Sequence, residues 1–141
     1  MAEASRPGWG LALLRVVLGI IFLVHGSSAL FFEPGVAGVA AMLAAQGVPA
    51  ANAGAWVVVA AEFLGGLALL VGWLTRWVAG VLFLGTLVAL FVAYAENGFF
   101  VFRPAGEWGY EYHLLLLAGL GCLVLGGAGV LAMDDWRSAR R

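Results

Sequence analysis

The sequence predicts an all-α membrane protein, a bundle of four transmembrane helices with a short interfacial or re-entrant helix between the first and second spans. Of its 141 residues, 64% are hydrophobic and only 11% are charged, and the mean hydropathy is +1.03. A soluble domain carries roughly a quarter charged residues, so this chain lacks the polar surface that water requires. We therefore expect one transmembrane domain over residues 1–141, surrounded by a lipid bilayer.

Four apolar stretches have the roughly 20 residues that a helix needs to cross the hydrocarbon core. They cover residues 9–32, 53–73, 77–95 and 114–133. The first contains Arg15 and His25, the second contains Glu62, and the last two contain no charged residue. A further apolar stretch lies at 35–48, between Pro34 and Pro49. Because it is too short to span, we predict that it forms the interfacial or re-entrant helix.

The arginines predict the orientation of the bundle, since Arg and Lys in short loops are retained in the cytoplasm. With four spans, one side receives Arg6, Arg15, Arg76, Arg137, Arg140 and Arg141, and the other receives Arg103. Both termini are therefore predicted to be cytoplasmic, in a multi-pass protein of the bacterial inner membrane. A fifth span would place Arg76 and the last three arginines on the wrong side.

Composition also excludes several function classes. Nucleic-acid binding needs clustered basic residues, and most of the arginines here stand singly at segment ends. The single cysteine, Cys122, excludes an internal disulfide or Cys-x-x-Cys centre, so a partner or cofactor would have to supply any redox chemistry. No metal site is predicted, because His25 and His113 should differ in depth and no His-x-x-His or Glu-x-x-His spacing occurs.

The ionisable residues inside the spans are the first candidate site. Glu62 lies near the middle of its span, where a carboxylate is costly unless it is buried, paired or protonated. His25 should lie about 5 Å outward of it, and Arg15 could reach inward from the cytoplasmic side. These three predict a buried site for a proton or a ligand head group. A structural ion pair that sets helix register is an equally good explanation.

A second group of polar residues lies in or beside the loop between the last two predicted spans. Its candidate members are Tyr94, Asn97, Glu111, Tyr112 and His113. The last three immediately precede an uncharged span, so a carboxylate, a phenol and an imidazole are expected at the outer mouth of the bundle. The other charged residues of the loop are explained by solvation.

Four segments resemble the DoxX family of small bacterial membrane proteins. The opening pattern is LLRVVLGIIFLVHG, which contains Arg15 and His25, and the central one is EFLGGLALLVGWLTR, which begins at Glu62. The other two are Asn-Gly-Phe-Phe at 97–100 and Glu-Tyr at 111–112 ahead of four leucines. The resemblance extends over about residues 14–131. Ala29 and Tyr94 depart from it, because relatives often have Lys and His at those positions.

The resemblance implies a four-helix membrane bundle that forms homo-oligomers or binds a partner. Some members are subunits of a thiosulfate:quinone oxidoreductase, and others associate with superoxide dismutase and a sulfurtransferase. It therefore implies an accessory or quinone-linked subunit of an oxidoreductase, with a quinone as the candidate cofactor. Two alternatives stay open: a small solute or lipid transporter or binding protein, and a membrane scaffold without a ligand.

Overall fold

The computed structural model of this protein describes residues 6–101 and 109–138, which are helical or irregular and contain no strand. The prediction of an all-α protein is confirmed for these residues. The helices are α1 (Arg6–Phe31), α2 (Gly35–Ala45), α3 (Ala51–Val71), α4 (Thr75–Ala89), α5 (Glu111–Gly126) and α6 (Met133–Ser138). A π-helical turn (Leu90–Tyr94) and a 3₁₀ turn (Ala95–Asn97) continue directly from α4.

Three helical segments in the described part of the chain are long and apolar enough to cross a membrane. They are Pro7–Phe31, Ala51–Val71 and Thr75–Asn97. They correspond to the first three predicted spans, with ends that differ from the predicted ones by only a few residues. The fold is thus confirmed as a multi-pass membrane protein.

The fourth predicted span, 114–133, has different bounds in the structure. Helix α5 begins earlier, at Glu111, and ends at Gly126 after 16 residues, which corresponds to a length of about 24 Å. The helix ends because the next residue, Gly127, has φ +87°, a conformation that glycine adopts without steric cost. Residues 127–132 are not helical, so the last part of the predicted span is wrong.

All four long helices contribute to one apolar core. Its buried members are Leu18, Phe22, Leu69, Ala79, Leu82, Leu116, Leu120 and Leu123. The most extensive packing joins α1 to α3 and α4 to α5. Helix α2 packs against α3 and α1 and buries only Ala40.

Glycine allows α1 and α3 to touch along their backbones. A Cβ on Gly66 would overlap the backbone of Leu23, and a Cβ on Gly26 would overlap the backbone of Phe63. Membrane helices associate through such close approaches because lipid gives them no hydrophobic reason to pack. These two glycines therefore bring the middle of α3, including Glu62, directly against α1.

One end of the bundle, which we call the terminal end, joins the start of α1, the α3–α4 turn and the segment 127–138. The Val130 N–H donates to the Gly8 carbonyl over 3.2 Å, and the Asp134 N–H donates to the Gly72 carbonyl over 3.0 Å. The carboxylate of Asp134 in turn accepts the N–H groups of Leu74 and Thr75, at 2.8 and 2.9 Å. Asp134 thus caps the first turn of α4, where backbone donors have no partner within the helix.

We expect the substitution Gly66→Ala to lower the free energy of unfolding by about 1–3 kcal/mol, because the added methyl group forces two backbones apart. Gly85→Ala is the matched control, since nothing lies within 4 Å of the position its Cβ would take. Thermal unfolding in mild detergent, followed by circular dichroism, measures both. Equal melting temperatures for the two variants would contradict this account of the α1–α3 contact.

Removal of the Asp134 carboxylate, which caps α4, should destabilise the terminal end. Asp134→Ala is expected to cost about 1–2 kcal/mol of unfolding free energy, since it leaves two N–H groups without an acceptor. Asp134→Asn keeps one acceptor oxygen and should lose less. The same unfolding assay ranks the wild type and the two variants, and amide hydrogen exchange should accelerate at Leu74 and Thr75. Unchanged exchange at these amides would show that Asp134 is not the cap.

Candidate functional site

Glu62 lies on α3 close to Tyr112 on α5. The Glu62 side chain is partly buried, and its charge interacts with the Tyr112 phenol. The Tyr112 ring itself packs against the apolar core. The sequence predicts Glu62 in the buried site of the second span, and Tyr112 at the outer mouth of the bundle. The structure therefore connects these two predicted sites.

His113 lies between two tyrosine rings. Its ring centroid is 4.1 Å from that of Tyr94, at an interplanar angle of 35°, and 5.9 Å from that of Tyr112, at 81°. Tyr94 is the last residue of the π-helical turn, and such turns occur often at functional sites. The Nδ1 atom of His113 is buried and has no hydrogen-bond partner in the part of the chain that the structure describes.

The side chain of His25 points away from the interior of the helix bundle. It is exposed, yet it lies near enough to His113 for their charges to interact. Because the neighbouring Gly26 touches the backbone of Phe63, His25 and Glu62 lie at nearly the same level of the bundle. The structure therefore places His25 beside the Glu62 region, on the surface of the bundle rather than in its interior.

The structure does not bring Arg15 to Glu62. Arg15 is only 2% exposed and donates from Nη2 to the Leu131 carbonyl over 3.1 Å, at the terminal end. Its guanidinium packs on Gly72, ten residues and about 15 Å along α3 from Glu62. The carboxylates that interact with its charge are Asp135 and Asp134. Arg15 therefore belongs to the terminal end and not to the Glu62 group.

Glu111, at the end of the loop between α4 and α5, forms hydrogen bonds with residues near the start of that loop. Its carboxylate accepts the Val101 N–H over 2.9 Å, and its own N–H donates to the Phe99 carbonyl over 2.9 Å. Asn97 ends the 3₁₀ turn that leads into this loop. Of the residues predicted at the outer mouth, Tyr94, Tyr112 and His113 lie close together. Glu111 instead connects the two ends of the loop through its hydrogen bonds to Val101 and Phe99.

The group formed by Glu62, Tyr94, Tyr112, His113 and His25, which we call the polar group, offers a distinct chemistry. A carboxylate, an imidazole and a phenol exchange protons and bind carbonyl or hydroxyl oxygens, and the stacked rings present flat apolar faces. Within residues 6–101 and 109–138, no three His, Cys, Asp or Glu side chains form a cluster that could hold a metal ion.

Sequence reasoning missed two features of this arrangement. It assigned no partner to Arg15 in the last ten residues, because Asp134 is 119 positions away along the chain (134 − 15). It also missed the π-helical turn, which directs Tyr94 toward His113. Neither feature has a local signal, although an Asp-Asp pair that follows a glycine-rich segment after four intervening residues is a sequence feature worth testing as a distant helix cap.

Comparison with known proteins identifies the family. The family model described as DoxX matches residues 10–95, a region that includes Arg15, His25, Glu62 and Tyr94. The chain is also 36% identical over 127 residues to the protein named "Putative oxidoreductase CatD" of Bacillus subtilis (strain 168), a match that covers 90% of this chain and 86% of that relative. No solved structure matches the chain significantly. By these two sequence matches, the protein belongs to the DoxX family.

Proposed function

We propose that this protein is the membrane subunit of an oxidoreductase complex, in which the polar group binds a quinone head group or handles its protons. One observation carries the proposal: an otherwise apolar bundle holds the Glu62 carboxylate on α3 and, on α5, a buried His113 Nδ1 that has no hydrogen-bond partner among the described residues. Ionisable groups at membrane depth are costly to bury and are typical of ligand sites and proton pathways. A buried polar atom without a partner similarly calls for an explanation, such as a ligand or an ordered water.

The chemistry of the polar group suits a quinone. A bound quinone would supply a carrier of two electrons and two protons. His113 would hold the head group by a hydrogen bond to a carbonyl oxygen, and the tyrosine rings would give the planar ring an apolar surface. Glu62 would hold or release a proton beside Tyr112, and the exposed His25 would pass that proton to the surface of the bundle.

The proposal requires a partner protein. With one cysteine in 141 residues, the chain has no internal dithiol to carry electrons. The relative from Bacillus subtilis is named an oxidoreductase, which supports redox chemistry for this chain as well. We therefore propose an accessory or quinone-linked role, in which a partner supplies the electrons.

We further propose that the chain crosses the inner membrane four times, with both termini in the cytoplasm. The hydrogen bond between Val130 and Gly8 supports an even number of crossings, because it joins the two ends of the chain at one end of the bundle. Arg15 and Arg76 lie at that same end, which favours the cytoplasmic side. Helix α5 would cross a locally thinned bilayer, and α2 would lie at the opposite interface.

The quinone site is tested by native mass spectrometry of the purified protein with a short-chain ubiquinone and a short-chain menaquinone. We expect Glu62→Gln and His113→Phe each to lower quinone retention about tenfold, the effect of one lost charged or buried hydrogen bond. Glu96→Gln is the matched control, because Glu96 is exposed beyond the end of α4. Equal retention by all four proteins would overturn the quinone site and favour a scaffold role.

The proposed topology is tested with fusions at the C-terminus. Green fluorescent protein, which fluoresces only when folded in the cytoplasm, should be bright, and alkaline phosphatase, which is active only outside it, should be inactive. The same two reporters fused after Asn97 should give the reverse pattern. Active phosphatase at the C-terminus would show that the chain crosses the membrane an odd number of times or in the opposite orientation.

A further inference from the structure

A groove opens at the terminal end of the bundle, apart from the polar group. Its volume of about 630 Å³ lies within the range of small-molecule sites, roughly 300–1,000 Å³. The groove lies between the start of α1, the start of α4 and the segment after α5. Leu11, Leu74 and Trp77 provide its apolar walls, and Thr75, Arg76, Asp134 and Asp135 provide its polar ones.

We expect the groove to lie at the level of the lipid head groups. Four tryptophans surround this end of the bundle, and tryptophan is enriched at the membrane–water interface. They are Trp9, Trp73, Trp77 and Trp136, with exposed fractions of 52%, 47%, 79% and 75%. A molecule with an apolar tail and a polar head is the natural occupant at this depth, and the bilayer supplies phospholipids in excess.

The charges of the groove discriminate among head groups. The exposed Arg76 lies along Gly127, with its Nε 3.3 Å from the position that a Cβ there would take, and it provides a cationic centre. Asp134 and Asp135 provide an anionic centre, which the buried Arg15 behind them partly offsets. One cationic and one anionic centre in a single groove complement a zwitterion better than a head group with only a negative charge.

Thr75, one of the residues that line the groove, has an unused hydrogen-bonding group. Thr75 is fully buried, and its hydroxyl has no hydrogen-bond partner among the described residues. A hydroxyl in this position can donate to a phosphate or ester oxygen. The unpartnered hydroxyl is a second indication of a ligand, independent of the charges.

We propose that this groove binds a zwitterionic phospholipid with a primary ammonium head group, a phosphatidylethanolamine. Arg76 and the Thr75 hydroxyl bind the phosphate, and the ammonium group lies against Asp135. The acyl chains follow Leu11 and Trp77 toward the hydrocarbon core. A choline head group satisfies the site less well, because its quaternary nitrogen has no N–H to donate to a carboxylate.

Native mass spectrometry of the delipidated protein with defined lipids tests this proposal. Palmitoyl-oleoyl phosphatidylethanolamine, phosphatidylcholine and phosphatidylglycerol are added singly at equal concentration. We expect the wild type to retain phosphatidylethanolamine about tenfold more than the other two, the effect of one charge-assisted hydrogen bond. Asp135→Asn should abolish the preference over phosphatidylcholine, and Arg76→Gln should lower retention of both lipids, whereas Arg76→Lys should keep most of it.

Glu96→Gln, which changes an exposed carboxylate at the other end of the bundle, should retain lipids as the wild type does. Equal retention of the three lipids by the wild type would overturn the proposal, and so would a preference for phosphatidylglycerol. A preference that survives Asp135→Asn would overturn the assigned ammonium contact. If Asp135→Asn does not fold, the comparison of Arg76→Gln with Arg76→Lys still decides whether the phosphate lies in this groove.

Discussion

The rest of the structure depends on the backbone contact between α1 and α3. Gly26 and Gly66 have no side chain at the crossing, so the two helices touch along their length, and packing rather than water exclusion holds them together. This contact determines the depth of every polar residue on both helices. It places Glu62 opposite the half of α1 that contains His25 and places Arg15 against Gly72, at the terminal end of the bundle.

The bundle therefore keeps its polar chemistry in two places, separated by an apolar core. At the terminal end, the carboxylate of Asp134 binds two backbone N–H groups and Arg15 binds a carbonyl, so hydrogen bonds tie the last segment to the first helix. In the polar group, the Nδ1 atom of His113 has no hydrogen-bond partner among the described residues, and at the terminal end the same holds for the Thr75 hydroxyl. Satisfied buried groups rigidify a structure, whereas unsatisfied ones favour a ligand or a proton.

Much of this fold could be predicted from the sequence because hydrophobicity over about 20 residues is a local property. The ends of helices are also partly local, as the stop at Gly127 illustrates, although the predicted fourth span overlooked it. The partners of the ionisable residues could not be predicted in the same way. Arg15 and Glu62 lie in adjacent spans, and only the antiparallel packing of α1 on α3 shows that they lie about 15 Å apart.

The sequence by itself determined the membrane environment, the first three spans and the family, because composition, length and motif order do not depend on how helices pack. Only the tertiary structure decided which polar side chains meet. Tyr94 reaches His113 through a π-helical turn, the charge of Glu62 on α3 acts on Tyr112 of α5, and Asp134 caps a helix that begins 59 residues earlier. Each of these contacts depends on helix rotation and register, which are set by close packing between segments distant in the chain.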